Sequence, residues 1–427
     1  MIQNTRRDFI KAGGLVGAGL TLAASVPATA TPQSDTLRRG DWQRLRQLFP
    51  LDYRYAHFAN FLVSAHCEPI RAAIEAHRAR LDGNPAQVMD YDRQEVWQHE
   101  HEVRTQAARY LGVAPGQIAL TGSTTEGLNI FYGGVRLKPG QEILTTVHEH
   151  YSVRYALQYR TERDGAGVRK LRLFEDPRQA SEDEILTRIA QGIRPETRVL
   201  GMTWVHSGSG VKLPIGKIGE LVKETNRERG PDERIIYGID GVHGFGVENL
   251  DFAAMNCDFF ISGTHKWMFG PRGTGIICAA SEHTRDLVPL GATFSQNQNF
   301  GTTFTPGGYQ AFEHRWAASK AFELHLQLGK DAVQQRIHGL NHYLKQQLQT
   351  LKGVELVTPS SSALSAGFTF FRIAGQDDEA LAAYLIQNRV MVDSVSRDAG
   401  PVVRMAPGLL NTEAEVDRAI RLLAART

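Results

Sequence analysis

Lys266 sits in the run Ile261-Ser262-Gly263-Thr264-His265-Lys266-Trp267-Met268-Phe269-Gly270-Pro271, directly after an apolar stretch. Asp240 closes the apolar stretch before it, in Tyr237-Gly238-Ile239-Asp240-Gly241-Val242-His243. Their separation of 26 positions leaves room for one helix and one returning strand, which brings both residues to neighbouring strand ends. That pair is what pyridoxal 5'-phosphate chemistry needs. The lysine holds the aldehyde as a Schiff base, and the carboxylate keeps the pyridine nitrogen protonated so that the ring accepts electrons. An aspartate at this place can also merely cap the next helix. A lysine flanked by His265 and Trp267 behind a buried strand is unusual for a surface lysine, so the cofactor reading is preferred.

Three further segments end candidate strands. Thr121-Gly122-Ser123-Thr124-Thr125-Glu126-Gly127 opens a helix, with Ser123 and Glu126 spaced as a capping box. By itself this is an ordinary capped helix. Beside the Lys266–Asp240 pair, its free N–H groups and the hydroxyls of Ser123, Thr124 and Thr125 make a phosphate seat. In His148-Glu149-His150-Tyr151, His150 is assigned to stack on the pyridine ring; a metal site at His148 and His150 ranks lower, for lack of a third ligand. After Trp204, either His206 or Ser207 is placed to reach the cofactor's phenolic oxygen, and a plain glycine-rich turn is nearly as good a reading. His243 and His265 complete the cofactor-binding candidates.

The elements that must position these residues alternate. Apolar runs at Ile118–Thr121, Glu142–Val147, Val168–Leu173, Val199–Trp204, Ile235–Ile239, Phe259–Ser262 and Gly275–Ala279 read as strands. Helical periodicity marks Trp42–Phe49, Glu68–Leu81, Val96–Tyr110, Ser181–Gln191 and Ile215–Arg229. The alternation predicts an α/β fold with a large, mostly parallel sheet covered by helices. Long helices follow at Phe312–Leu328 and Ala332–Leu351. A smaller α/β unit then runs through strand Phe368–Ile373, helix Asp378–Asn388, strand Val402–Ala406 and helix Glu413–Ala425. The expected division is 1–30 as an export signal, 31–60 packing on the smaller domain, 61–305 as the large cofactor-binding domain, and 306–427 as the smaller domain.

Thr5-Arg6-Arg7-Asp8-Phe9-Ile10-Lys11 reads as a twin-arginine motif, followed by a weakly apolar Gly/Ala-rich run and the small residues Ala28-Thr29-Ala30. The expectation is a cleaved signal, a mature chain from near Thr31 with a short disordered leader to Asp35, and a periplasmic protein passed folded through the twin-arginine export machinery. The run is too short and glycine-rich for stable membrane insertion. A formal charge of +2, from 48 basic and 46 acidic residues, gives no reason to expect nucleic acid. Cys67, Cys257 and Cys278 make no disulfide framework, although one pair could oxidise outside the cytoplasm.

These motifs resemble the class V aminotransferase-like group of fold-type I pyridoxal phosphate enzymes, over nearly the whole mature chain. Thr264 to Thr274, Val403-Arg404-Met405-Ala406 and Leu410-Asn411-Thr412-Glu413 are most similar to its isopenicillin N epimerase-like branch. The resemblance implies that Arg404 grips a substrate carboxylate. It also implies a homodimer, in which Thr302 and Thr303, from Phe300-Gly301-Thr302-Thr303-Phe304-Thr305-Pro306, reach the partner's phosphate. Two departures stand out. No cysteine lies between Val392 and Val403, so sulfur abstraction is not expected. Gly263 replaces a polar residue three before the lysine, which leaves Ser262 or Thr264 for the phosphate. With the export signal, and with Ala56-His57-Phe58-Ala59-Asn60-Phe61-Leu62, the chain is similar to the exported branch that modifies the glutamate side chain of pyoverdine siderophores. A small-molecule or siderophore-peptide substrate follows from that resemblance. Two rival classes are a cofactor-fold binding protein and a metal-dependent hydrolase using His148, His150 and Asp240.

Overall fold

The computed structural model describes residues 37–426, apart from 91, 93 and 294–297. The export signal and the leader fall outside the described residues. Seven strands form one sheet: β1 Ile118–Thr121, β2 Glu142–Thr146, β3 Gly167–Leu171, β4 Thr197–Thr203, β5 Ile236–Asp240, β6 Phe259–Gly263 and β7 Gly275–Ala279. Their spatial order is β1-β7-β6-β5-β4-β2-β3. Only β7 runs antiparallel, between β1 and β6. All seven expected strands form, with ends moved by no more than two residues.

Alternation along the strands sorts side chains between two helical layers. On β5 and β6, Ile236, Phe259 and Ile261 pack against Leu128 and Phe131 of helix Thr124–Gly134 and Val153 and Leu157 of helix Tyr151–Asp164. Tyr237, Ile239 and Phe260 face the other way, toward Ile215, Ile218 and Val222 of helix Ile215–Thr225. Helix Tyr151–Asp164 was not anticipated. It presents Tyr151, Tyr155 and Tyr159 to solvent, and so lacks the continuous polar face that marks an amphipathic helix.

A second sheet is antiparallel throughout: β8 Val354–Leu356, β9 Thr369–Ile373, β10 Asp393–Val395 and β11 Val402–Met405, in the order β10-β11-β9-β8. Ala56–His57 pairs in parallel with Val390–Met391 beside it. The expected long helix at Phe312–Leu328 is two helices, Phe312–Ala317 and Ser319–Leu328, interrupted at Ala318. Cys67, Cys257 and Cys278 are all free and buried.

Because β4, β5 and β6 are parallel, Thr203, Asp240 and Gly263 end at one edge, where open α/β sheets bind ligands. The backbone there is tight. A Cβ on Gly241, next to Asp240, would lie 2.0 Å from the Phe260 ring. Gly241→Ala is therefore expected to lower stability by about 1–3 kcal/mol, the usual cost of overpacking, seen as an earlier denaturation midpoint. An unchanged midpoint would mean that Phe260 moves aside freely.

Candidate active site

Lys266 opens the loop between β6 and β7, whose base is closed by Thr264 and Thr274. The Thr264 N–H donates to the Thr274 carbonyl at 3.1 Å, and the two hydroxyls meet at 2.5 Å. Thr264 is thus committed to the loop, and the Ser262 hydroxyl donates to the Gly263 carbonyl at 2.9 Å. Both hydroxyls are engaged within the chain.

The Lys266 amine has no ion pair among the described residues; its contact is His243 Nε2 at 3.5 Å. Trp267 Nε1–H donates to His243 Nδ1 at 3.3 Å, so the proton of the neutral ring sits on Nε2, facing the amine. Burial, aided by the charges of Lys266 and Arg404, holds His243 well below the usual histidine range. Burial also lowers the Lys266 ammonium, against the pull of Asp240. Asp240 is raised by burial, opposed by the Val242 N–H, which donates to Oδ1 at 3.1 Å, and by Lys266. A depressed lysine has more of the neutral amine that attacks a carbonyl carbon.

On the β1 side, Ser123 caps helix Thr124–Gly134 by accepting the Glu126 N–H at 3.1 Å. The box is not reciprocal: the Glu126 carboxylate takes the Gly122 N–H, one residue before the cap. Thr124 Oγ1 accepts the Gly263 N–H at 2.7 Å, tying this helix to the lysine strand. A Cβ on Gly263 would stand 3.0 Å from both the His265 ring and Thr124 Oγ1. His265 Nδ1 is buried there without a partner. Thr125 is exposed. The donor set fits pyridoxal phosphate: a buried amine and carboxylate for the ring system, and a helix N-terminus with an orphaned imidazole nitrogen beside it for the phosphate.

The His-x-His pair separates. His150 caps helix Tyr151–Asp164, its Nδ1 accepting the Ser152 N–H at 3.3 Å. Burial first, then Arg397, Lys266 and Arg404, lower it to about 4, so it is a neutral ring among the site's cations. His148 turns inward. Its Nε2 accepts the Leu173 N–H at 3.2 Å, its Nδ1 bonds Asp398 at 2.8 Å, and its ring stacks on Phe174 at 4.0 Å. Among the described residues no cluster of three metal-ligating side chains forms. His206 is fully buried behind His148 with both ring nitrogens unpartnered.

Between these histidines lies Glu149, missed in the sequence. Thr146 donates to it at 2.8 Å and Thr203, which is in register with Asp240, donates to its other oxygen. Burial raises Glu149 to about 7, the two threonine hydroxyls oppose this, and Asp240 adds to it. A raised carboxyl contributes stability that is full below about pH 4.5 and lost as pH climbs through 7. Glu149→Gln should flatten that slope, gaining up to a few kcal/mol over the wild type at pH 8 relative to pH 5. Parallel thermal-unfolding curves for the two proteins would contradict this.

Two expectations meet other partners. Ser207 accepts from arginines: its hydroxyl from Arg397 Nη2 at 2.6 Å, its carbonyl from Arg397 at 3.1 Å and Arg404 Nη1 at 2.9 Å. Arg404 is already gripped: Nε and Nη2 bond Asp393 Oδ1 and Oδ2 at 3.0 and 2.5 Å, and the guanidinium lies 4.4 Å from the Phe61 ring. The β10–β11 register sets Asp393 opposite Arg404, and Asp393 takes the Nε–Nη2 edge of the guanidinium, leaving one N–H on Nη1 and one on Nη2. Thr302 and Thr303 are not brought to Lys266. They lie in the short helix Phe300–Thr303 on the outer edge of β1, where Gly301 backs onto the Ile118 carbonyl.

Residues 64–418 match the family described as Aminotransferase class-V. Isopenicillin N epimerase of Amycolatopsis lactamdurans is 28% identical over 360 residues, 80% of this chain and 87% of that protein. A probable cysteine desulfurase of Xylella fastidiosa (strain Temecula1 / ATCC 700964) is 26% identical over 412 residues, 90% and 95% of the two chains. Among solved structures, the cystine C-S lyase C-DES with its product cysteine persulfide superposes with a TM-score of 0.77 at 21% identity, over 88% of this chain and 99% of that one. A C-DES mutant with glycine covalently linked to the PLP cofactor gives 0.78, also at 21% identity, over 89% and 98% of the two chains. The fold is that of these structures, and with its lysine, carboxylate and helix N-terminus at one sheet edge, the chain belongs to the class V aminotransferase family of pyridoxal phosphate-dependent enzymes.

Proposed function

We propose that this enzyme acts at the amino group and Cα of an amino-acid moiety, and that its substrate is the glutamate side chain of a periplasmic pyoverdine siderophore. The observation that carries the chemistry is the buried Lys266 amine, 3.5 Å from His243 and held low in pKa, beside the buried Asp240. Pyridoxal phosphate, when bound, supplies an electron-accepting ring. Asp240 would hold a proton at its ring nitrogen, His150 would lie over its face, and Ser123, Thr124 and His265 would hold its phosphate. Lys266 would hold the aldehyde carbon, and its amine is the group that would take and return the Cα proton. His243 orients that amine. Phe61 packs edge-on against His243 and under the Arg404 guanidinium.

The substrate rests on the twin-arginine motif joined to this family, and on the similarity of Ala56–Leu62 to the exported pyoverdine branch. A cofactor must be loaded in the cytoplasm, which gives a reason to export the folded form. Thr302 and Thr303 are proposed to serve the partner's site in a homodimer. A second reading, amino-acid epimerisation, is favoured by the similarity to isopenicillin N epimerase. The substrate proposal is tested by mass spectrometry of siderophores from a strain carrying Arg6→Lys with Arg7→Lys. The expected result is unmodified glutamate form accumulating in cells that hold active enzyme in the cytoplasm, and correct modification by purified mature enzyme. Normal siderophore without periplasmic enzyme would sink both localisation and substrate.

A further inference from the structure

The two ring nitrogens of His243 meet different groups. Nε2 lies 3.5 Å from the Lys266 amine, and Nδ1 accepts the Trp267 indole N–H at 3.3 Å. No other described residue is hydrogen-bonded to the ring. An indole N–H can only donate, so Nδ1 is bare and a doubly protonated ring does not fit the contact. Both side chains are buried and held by packing. Phe61 stacks on the indole at 6.0 Å between ring centroids, and Phe368 meets it edge-on at 5.7 Å. Two glycines let the indole in: a Cβ on Gly367 would stand 2.5 Å from it, and one on Gly408 3.5 Å. Behind it, the Trp267 carbonyl meets His325 Nε2 at 3.1 Å. Phe368 also packs on the His243 ring at 4.7 Å.

We infer that Trp267 is a positioning residue that acts through His243: by occupying Nδ1, it fixes the imidazole as a hydrogen donor toward the Lys266 nitrogen. An ammonium has donors only and finds no acceptor on that side, whereas a neutral amine offers its lone pair to the Nε2–H. The indole therefore favours the form of the lysine that attacks a carbonyl carbon. Trp267 follows Lys266 directly, so one loop carries both the nucleophile and the group that sets its neighbour's proton. The charged groups around them leave this donor in place. Burial lowers Lys266, Asp240 opposes that, and Arg404 and Arg397 add to it. Burial, Lys266, Arg404, His150 and Arg397 all lower His243 and keep it neutral. The inference rests on the reading of Lys266 as the lysine that carries the cofactor.

The test compares wild type with Trp267→Phe, and with benzothienylalanine at position 267, which keeps the bicyclic shape and has sulfur in place of the N–H. Nitrogen NMR of histidine-labelled, cofactor-loaded full-length protein reads the tautomer, and His243→Gln identifies the signal. Wild type should show His243 with a bare Nδ1 and a protonated Nε2 across neutral pH. Both replacements should move proton density onto Nδ1. The rate at which cofactor-free protein captures pyridoxal phosphate, followed by absorbance, should then have its pH midpoint raised by about one unit, the worth of one hydrogen bond to a charged group. An indole that only fills space would, when lost, slow capture equally at every pH, and benzothienylalanine would repair it. That result, or a wild-type His243 protonated on Nδ1, overturns the inference. Borohydride fixation on Lys266 of wild type is the control. Its failure removes the lysine reading and the inference with it, whereas intact fixation with an unmoved tautomer overturns only the part played by Trp267.

Discussion

Lys266→Ala is expected to yield a folded protein to which borohydride fixes no cofactor, with turnover reduced by at least about 100- to 10,000-fold, the range for removing a positioned proton-transfer group. The loss should exceed that range, because the same amine both binds the cofactor and moves the proton. Folding should survive, since the amine makes no ion pair and its nearest partner is a 3.5 Å contact to His243. Circular dichroism checks the fold, and reduction followed by mass measurement checks the linkage. Among the described residues, Lys345 is buried more deeply than Lys266, which is half-buried. Lys345 is also lowered, to about 8, by burial. Its amine, however, donates to the Pro359 carbonyl and the Ser365 hydroxyl, each at 2.7 Å, and no carboxylate faces it. A variant lacking Lys266 that still carries reducible cofactor would move the chemistry there.

Asp240→Asn should retain cofactor yet lose about 100- to 1,000-fold in turnover, the scale set by deleting one preorganised electrostatic partner. An amide keeps the shape and can still accept the Val242 N–H, but it carries no charge to hold a proton on the ring nitrogen. Neutralising Asp240 also removes the negative charge that raises Lys266, so the amine should titrate lower still. Near-normal kcat, with the cofactor spectrum unshifted, would mean that the reaction runs without a protonated ring.

The middle of the sheet was legible because β4, β5 and β6 are mostly apolar runs buried along their whole length. Parallel order then forced Asp240 and the Lys266 loop to one edge. The break at Ala318 was not legible, since the helical periodicity continues across it. The capping pattern was legible: Ser123 caps the helix and Thr124 ties it to the lysine strand, whereas Thr125 next to them is exposed. The arginines were the harder case. Arg404 was found by resemblance, and its partner Asp393 was missed. Opposite charges on adjacent short antiparallel strands were the available signal, but β10 is three residues long and reads as loop. Arg397 lies in Ser396-Arg397-Asp398-Ala399-Gly400, a turn by composition, and only the folded chain shows that its neighbour's charge is taken by His148, 250 residues away. Glu149 was passed over between two histidines; nothing local predicts that Thr146 and Thr203 bury it beside Asp240.

The central claim is that one lysine carries the cofactor. Purified protein loaded with pyridoxal phosphate, reduced with borohydride, digested and sequenced by tandem mass spectrometry tests it in a single measurement. The cofactor mass should appear on the peptide containing Lys266 and on no other lysine. Label on Lys345 or Lys212, or a protein that binds the cofactor without any reducible linkage, would contradict the account.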